Sequence, residues 1–192
     1  EWPNLVKSMG LVAIYNVCYY VVLGYIPGYL TNELGYSASF GSVLGMVGTL
    51  SMLLLVPFSG LLADRVGRKR LIALGCILLI VFSIPAFTML QTHNVVLVYV
   101  AVLGLLVAQL LFEGAMGATL VSLFKAPVRF SALALSYNLS VSLFGGTAPL
   151  VNTWLIGQTG NTMIPAYYLI GAAVVGLVAI LMTEDRTGKP MP

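Results

Sequence analysis

Residues 60–70 read Gly60-Leu61-Leu62-Ala63-Asp64-Arg65-Val66-Gly67-Arg68-Lys69-Arg70 and place five charges between two long uncharged stretches. No aspartate, glutamate, lysine or arginine occurs at positions 34–63 or 71–112. Because a helix needs about 20 consecutive apolar residues to cross a bilayer, each flanking stretch is long enough to do so. The charged segment is therefore predicted to be a tight loop between two transmembrane helices.

The composition of the chain is that of an integral membrane protein. Of its 192 residues, 59% are hydrophobic and 8% are charged, and the mean hydropathy is +1.00. The formal net charge of +3 comes from basic residues in short connections, where they set membrane orientation, so nucleic acid is not an expected partner. Cys18 and Cys76 lie inside apolar runs and are expected to pack rather than to form a disulfide or bind a metal.

Six apolar runs of spanning length predict an all-α integral membrane fold. The predicted helices cover about residues 5–29, 37–61, 71–89, 95–123, 132–156 and 163–182. Only short connections separate them, so residues 1–192 are predicted to form a single six-helix transmembrane bundle.

The lysines and arginines all fall on one side of this predicted bundle. They are Lys7, Arg65, Arg68, Lys69, Arg70, Lys125, Arg129, Arg186 and Lys189. The opposite connections hold Glu33 and His93 but no lysine or arginine. Since basic residues accumulate in short cytoplasmic loops, both termini of this multi-pass chain are predicted to be cytoplasmic.

Glu113 is the only acidic or basic residue placed deep inside a predicted span. A carboxylate at that depth is costly unless it is protonated, paired or hydrated. Two interpretations stay open at this point. Glu113 either carries a proton or contacts a substrate, or it is a buried protonated carboxyl that hydrogen-bonds a neighbouring helix.

Polar and aromatic side chains in two other spans are candidates for lining a substrate path. Tyr15 and Tyr19 share one face of the first helix because they are four residues apart, and Asn16 lies beside Tyr15. The further candidates, in the fifth helix, are Tyr137, Asn138 and Trp154. Hydrogen bonding between helices is the alternative explanation for such side chains.

Two spans also contain residues that interrupt helices. Residues 24–28, which include a proline between two glycines, are predicted to break the first helix near its non-basic end. In the fifth helix, Gly145, Gly146 and Pro149 favour a bend or a locally loosened backbone. Such interruptions often mark binding sites or hinges in transporters.

Several stretches resemble one transporter family. Residues 60–70 are similar to the cytoplasmic loop signature of the major facilitator superfamily, Gly-x-Leu-Ala-Asp-Arg-x-Gly-Arg-Lys/Arg. Residues 128–134, 137–140 and 165–169 together resemble the metabolite:proton symporters, and among those the proline/betaine transporters. The sequence departs from the family at Phe124-Lys125-Ala126, where Phe-Pro-Thr is usual, and at Glu113, where an uncharged residue is usual.

This resemblance covers essentially the whole chain and implies the carboxyl-terminal bundle, helices seven to twelve, of a twelve-helix protein. It implies a secondary active transporter of the bacterial inner membrane with its substrate site between two six-helix halves. The implied partners are the amino-terminal half, the lipid bilayer, protons and a small zwitterion such as proline or glycine betaine. The quaternary ammonium of betaine suits aromatic faces, and its carboxylate suits amide or hydroxyl donors, so tyrosines and asparagines are a plausible lining.

The resemblance also assigns roles within the loop signature. In the superfamily the loop aspartate lies by a helix end of the opposite half and helps to hold the outward-open state. Transferred to this sequence, Asp64 has that role, and Arg68 is placed four residues on to pair with it. The other signature residues are Gly60, Arg65, Gly67, Lys69 and Arg70. The three basic residues among these are expected to anchor the loop at the membrane surface.

Three alternatives differ in function or in assembly. One is a symporter of another small metabolite of the same family, such as an organic acid. Another is a stand-alone six-helix protein acting as a homodimer, although the beginning at Glu1, without an initiator methionine, predicts a piece of a longer protein. An enzyme is not expected, because the chain has one histidine and lacks His-Glu-x-x-His, Gly-x-Ser-x-Gly and glycine-rich phosphate motifs. No cofactor or metal is expected either.

Overall fold

A computed structural model describes residues 2–185 and 187–188 of the chain. Within these residues six helices are long and apolar enough to cross a membrane. They are α1 (Trp2–Asn32), α2 (Ala38–Val66), α3 (Arg68–Leu90), α4 (Val95–Ser122), α5 (Arg129–Thr159) and α6 (Ile164–Leu181). The described residues contain no β-strand, and the predicted all-α membrane fold is confirmed.

Most of these helices extend past the apolar runs that predicted them. Helix α1 begins at Trp2 instead of about residue 5 and ends at Asn32 instead of about 29, and α5 covers 129–159 instead of 132–156. A run of apolar residues shows where the hydrocarbon core lies, whereas a helix continues through polar residues until its backbone groups find other partners. Helix length therefore exceeds the predicted span.

Capping residues decide where several helices begin and end. The Ser37 hydroxyl accepts a hydrogen bond from the Phe40 N–H at 3.2 Å at the start of α2. The Asn94 side-chain oxygen accepts from the Val96 N–H at 3.0 Å at the start of α4. Such side-chain acceptors satisfy amides that have no partner within the helix. Gly160, with φ of +67°, ends α5 in the left-handed conformation that favours glycine.

The predicted tight loop at residues 62–70 is much shorter in the structure, where only Gly67 lies outside a helix. Gly67 has φ of +102°, which residues with a Cβ rarely adopt, and its N–H donates to the Ala63 carbonyl at 3.1 Å. One glycine therefore ends α2 and allows α3 to begin at once. As a result Asp64 and Arg65 belong to the last turn of α2, and the following basic residues to the first turn of α3.

Two of the helices are interrupted by π-helical turns. In α1 the turn covers Tyr20–Tyr25, one turn earlier than the predicted break at residues 24–28. In α5 it covers Val141–Gly145 and is followed by a non-helical turn at 146–147 before the chain resumes as a helix at Ala148–Thr159. A Cβ atom at Gly145 would lie 2.9 Å from Asn16 Cβ, so the two interrupted helices cross at this glycine. Single π-helical turns are frequent at functional sites.

Helices α3 and α4 form the most extensive helix–helix contact of the bundle. Helix α3 packs against α4 and α6, α4 also packs against α2, and α1 packs against α5 and α6. Large side chains such as Tyr29, Phe87 and Phe112 fill the interior. Helix α2 instead exposes a series of apolar side chains: Met46, Leu50, Leu53, Leu54 and Phe58. A helix with such an apolar surface, uncharged up to Ala63, is suited to lipid or to another helix bundle.

Substitution of Gly114 tests the packing of α4 against α2. A Cβ atom at Gly114 would overlap the backbone of Ser59 on α2, whereas a Cβ atom at Gly117, one turn further along α4, would meet nothing within 4 Å. We expect Gly114→Ala to destabilise the protein by about 1–3 kcal/mol, because backbone cannot move aside as a flexible side chain can. Gly117→Ala is expected to be neutral or slightly stabilising.

Thermal unfolding of the two purified variants in detergent, followed by loss of helical circular dichroism, measures this difference. Equal unfolding temperatures would show that α2 and α4 are not in contact at Gly114.

Candidate functional site

Glu113 lies about two-thirds of the way along α4, one turn closer than Gln109 to the end where the basic residues lie. Its Oε1 atom accepts a hydrogen bond from the Tyr15 hydroxyl of α1 at 2.9 Å and another from Gln109 Nε2 at 3.2 Å. The side chain is half-buried, while Gln109 is fully buried. Two hydrogen-bond donors, one from α1 and one from α4, thus converge on one oxygen of Glu113.

Two further tyrosines lie near Tyr15, the residue that donates to this carboxylate. Tyr15 is within electrostatic range of Glu113, of Tyr19 on the same helix and of Tyr137 on α5. Tyr19 and Tyr137 are 44% and 38% exposed, whereas Gln109 has no exposed surface. We call the following five residues the Glu113 cluster: Glu113, Gln109, Tyr15, Tyr19 and Tyr137. The cluster has a buried polar end at Gln109 and an exposed aromatic end at Tyr19 and Tyr137. A carboxylate beside aromatic rings can attract a cation and hold a proton.

Three other residues predicted for the path are not among the described hydrogen-bonding partners of Glu113. Asn16 is buried, and its side-chain amide donates to the Val12 carbonyl of its own helix at 3.0 Å. The Asn138 amide donates to the Ala134 carbonyl at 2.8 Å and is exposed. Trp154 lies beyond the interruption of α5 and is 61% exposed. Asn16 therefore supports the helix crossing near Gly145, and the other two present exposed surface.

An apolar groove of about 620 Å³ lies between α1 and α6. On α1 it is lined by Ala13 and Val17, and on α6 by residues such as Tyr168 and Val175. Since successive helical residues turn by about 100°, Ala13 and Val17 lie on the face of α1 opposite to Tyr15. The groove is therefore separate from the Glu113 cluster.

The signature aspartate is largely free of strong contacts within this bundle. The Asp64 carboxylate lies 3.4 Å from the Arg68 guanidinium, in the pairing expected from their spacing, and the Asp64 side chain is 69% exposed. An exposed pair at this distance contributes little to stability. Asp64 thus projects from the end of α2 with most of its surface available to a partner outside the bundle.

The two signature glycines differ in how far the structure explains them. Gly67 provides the reversal between α2 and α3 through its positive φ. The Gly60 nitrogen lies where α2 and α4 approach closely, 2.8 Å from the position of a Cβ atom at Gly114, but a Cβ atom at Gly60 itself would meet nothing within 4 Å. The structure therefore explains glycine at position 67 and not at position 60.

Lys69 is more than the surface anchor expected from the sequence. Its ammonium group donates to the Leu181 carbonyl at 3.0 Å and to the Thr183 carbonyl at 2.6 Å, at the end of α6. A cation at this position satisfies carbonyls that have no partner within the helix and interacts favourably with the helix dipole. Arg65 and Arg70 are exposed, so only Lys69 among these three acquires a structural contact of this kind in the described residues.

The segment after α6 folds back onto the same turn. The Arg68 N–H donates to the Thr187 hydroxyl at 3.0 Å, and the Thr187 hydroxyl donates to Asp185 at 2.6 Å. The hydrogen bonds from Thr187 hold the pKa of the Asp185 carboxyl below its ordinary value, and nearby Arg70 and Lys69 act in the same direction. This contribution to stability is present above the ordinary carboxyl pKa and is lost as the pH falls through the lowered value.

We expect Lys69→Met to lower the unfolding temperature of the protein by about 2–4 °C, corresponding to about 1 kcal/mol from the lost hydrogen bonds. Methionine keeps an apolar stem of similar length, so the change removes mainly the charge and the donors. Arg65→Met is the matched control, because Arg65 is also basic and lies exposed one residue before Val66. Equal effects of the two changes on thermal unfolding would show that Lys69 stabilises the protein no more than an exposed surface charge does.

The sequence profile of the Major Facilitator Superfamily matches residues 9–191 of the chain. The chain belongs to the Major Facilitator Superfamily. It forms one six-helix half of that fold. No solved structure shows a significant match.

Several transporters named for their substrates are similar in sequence to the whole chain. The chain is 38% identical over 190 residues to the proline/betaine transporter of Escherichia coli K12, covering 99% of this chain and 38% of that protein. It is 37% identical over 191 residues to the glycine betaine/proline/ectoine/pipecolic acid transporter OusA of Dickeya dadantii, and 32% identical over 191 residues to the ectoine/proline transporter ProP of Corynebacterium glutamicum. In both cases the match covers 100% of this chain and 38% of the relative. The resemblance to proline/betaine transporters is thereby confirmed.

Membership of this superfamily and the six apolar helices indicate a multi-pass membrane protein that belongs to a family of transporters, not of enzymes. In residues 2–185 and 187–188 no group of three histidine, cysteine, aspartate or glutamate side chains is placed to hold a metal ion. Of the nine basic residues assigned to one side of the bundle, Arg186 and Lys189 lie outside the described residues.

Gln109 is the residue of the Glu113 cluster that the sequence reasoning missed. Its signal was present, because Gln109 and Glu113 are four residues apart in an otherwise apolar helix and so lie on one face.

Proposed function

We propose that this chain is the carboxyl-terminal half of a secondary active transporter that carries a small zwitterionic osmolyte, such as proline or glycine betaine, together with protons. The observation that carries the proposal is similarity over the full length of the chain to transporters named for proline, betaine and ectoine. Because the chain spans 38% of the length of these relatives, the activity belongs to a longer protein. Its closest partner is the amino-terminal six-helix half.

The Glu113 cluster supports the choice of a zwitterion and protons. Aromatic faces of Tyr19 and Tyr137 suit a quaternary or secondary ammonium, and the Tyr15 hydroxyl is a donor close by. The position of Glu113, half-buried about two-thirds of the way along α4, allows water to reach it from one side. An intramembrane carboxylate with access to water is a typical proton carrier in transporters.

The interrupted helices and the exposed faces fit a site between two halves. Substrate sites of such transporters lie near the bilayer midplane and are formed by discontinuous helices, and here α1 and α5 are interrupted where they cross. Exposed Asp64 and the apolar surface of α2 are available to the other half. In a homodimer the same surfaces would meet a second copy, and an organic-acid symporter would carry an anion in place of the zwitterion.

Uptake by the full-length transporter tests this proposal. Vesicles that contain the protein are given radiolabelled proline, glycine betaine or a dicarboxylate, with and without an imposed inward proton gradient. We expect accumulation of proline or betaine that depends on the gradient. Accumulation of the dicarboxylate alone would favour the organic-acid alternative, and uptake by this chain without an amino-terminal half would favour the homodimer.

We further propose that the protein lies in the bacterial inner membrane with both ends of the bundle in the cytoplasm, because its basic residues gather at one end. Single cysteines introduced at Glu33 or His93 are expected to react with an impermeant maleimide added outside intact cells. A cysteine at Arg68 is expected to react only after the membrane is permeabilised. The reverse pattern would contradict this orientation.

A further inference from the structure

Gln109 has a buried oxygen atom that the described structure leaves without a hydrogen-bond donor. The side chain has no exposed surface, and its Nε2 donates to Glu113 Oε1 at 3.2 Å, while no donor in the described residues reaches its Oε1. Buried polar atoms nearly always have a partner, and each exception calls for an explanation. Among the described residues with such an atom, Gln109 is the one whose amide donates to Glu113.

The present hydrogen bonds do not by themselves satisfy a protonated Glu113. Tyr15 and Gln109 both donate to the same side-chain oxygen, which can accept two hydrogen bonds in either protonation state. A protonated carboxyl also has an O–H group, which needs an acceptor. The Oε1 atom of Gln109 is an acceptor on the side chain already in contact, and no donor in the described residues engages it.

We propose that Gln109 is a positioning residue that serves both protonation states of Glu113. It donates from Nε2 to the carboxylate, and after a half-turn of its amide it accepts at Oε1 from the protonated carboxyl. This inference rests on the proposed function, in which Glu113 gains and loses a proton in each cycle. The proton comes from water at the open side of the cluster, forms an O–H bond to a carboxylate oxygen, and returns to water from that oxygen.

Tyr15 and Cys18 of α1 are the described titratable groups within electrostatic range of Glu113. Tyr15 is in turn within range of Tyr19 and of Tyr137 of α5, and Cys18 is within range of Cys76 of α3. All of these groups are neutral near pH 7 in their ordinary forms. Helix α2 contributes no ionisable side chain between Ala38 and Ala63. Hydrogen bonds, rather than ion pairs, are therefore the means by which this site distinguishes a charged Glu113 from a protonated one.

The test measures the protonated Glu113 carboxyl directly, by infrared spectroscopy of the full-length transporter in vesicles. Its C=O band is identified as the one that disappears in Glu113→Gln. In Gln109→Met, which keeps the side-chain length but removes both donor and acceptor, we expect this band to change frequency. Because a hydrogen bond to a charged group is stronger than one to a neutral group, the appearance of the band should also move toward higher pH by about one unit.

Asn152→Leu is the matched control. Asn152 is likewise fully buried, its Nδ2 donates to the Ala148 carbonyl at 2.8 Å, and its Oδ1 has no donor in the described residues. It does not contact Glu113 by a described hydrogen bond, so the band should keep its frequency and pH dependence. If Gln109→Met does not fold, Gln109→Asn, which retains an amide but is one methylene too short to reach, should give the same shifts.

Three results would overturn the proposal. The first is an unchanged band in both Gln109 variants, the second is an equal change in Asn152→Leu, and the third is a wild-type Glu113 that shows no protonated band between pH 4 and 9, about the range in which proteins stay folded. The proposed function is tested separately by the uptake experiment. If the band shifts in Gln109→Met but the transporter carries its substrate without protons, the role of Gln109 as a positioning residue stands and proton coupling is rejected.

Discussion

Replacing Glu113 with glutamine is expected to reduce the uphill accumulation of substrate about tenfold for each unit of imposed pH gradient. Glutamine has nearly the same shape and can hydrogen-bond Tyr15, but it cannot bind and release a proton. Counterflow of labelled against unlabelled substrate should stay close to wild type, because this exchange needs no net proton movement. The pair of assays separates loss of coupling from loss of transport.

Glu33→Gln is the matched control for that result. Glu33 follows α1 in the connection at the opposite end of the bundle, so its replacement removes a carboxylate from the protein without touching the Glu113 cluster. Accumulation in this variant should equal wild type. A joint fall of uphill uptake, counterflow and protein yield in Glu113→Gln would indicate a structural carboxyl, and unchanged uphill uptake would remove Glu113 from the coupling path.

A second large effect is expected at the α2–α3 reversal. Asp64→Asn in the full-length transporter should reduce the initial rate of uptake about tenfold, because a contact with the amides of a helix end depends on the negative charge. Arg70→Gln should have a much smaller effect, since Arg70 is exposed and shares its anchoring role with neighbouring basic residues. Uptake is measured at equal amounts of protein in the membrane.

The exposure of Asp64 is the reason why comparing Asp64→Asn with Arg70→Gln is informative. Within the bundle the Asp64 carboxylate meets only Arg68, at 3.4 Å, among its described charged partners, and such a surface pair is worth little. A tenfold loss would therefore have to come from a partner outside this half. Equal losses in Asp64→Asn and Arg70→Gln would leave the signature with a role in membrane orientation alone.

The number and type of helices could be predicted from the sequence because a bilayer imposes a minimum apolar length on each span. The ends of the helices could not be predicted in the same way. Only Gly67 separates α2 from α3, and its positive φ depends on backbone geometry that apolar run length does not report. The break predicted at residues 24–28 likewise lies about one turn after the π-helical turn at Tyr20–Tyr25. Residues 24–28 show that α1 tolerates a distortion, but they do not show where the distortion forms.

Less of the candidate site could be predicted. Glu113 is evident in the sequence as an isolated charge in an apolar span. The four-residue spacing from Gln109 to Glu113 also indicates that the two side chains share a helix face. The contact of Glu113 with Tyr15 joins residues 98 positions apart, and local spacing carries no information about such a pair. The same holds for Lys69, whose partners Leu181 and Thr183 are distant in sequence and are brought close only by the packing of α3 against α6.

The most direct measurement of proton coupling is proton movement driven by substrate alone. The full-length transporter is placed in vesicles that enclose a pH-sensitive dye, without an imposed gradient, and glycine betaine or proline is added outside. The account predicts that the interior becomes more acidic as substrate enters, and that Glu113→Gln abolishes this acidification while substrate exchange continues. Substrate entry at the wild-type rate without any change of interior pH would contradict it.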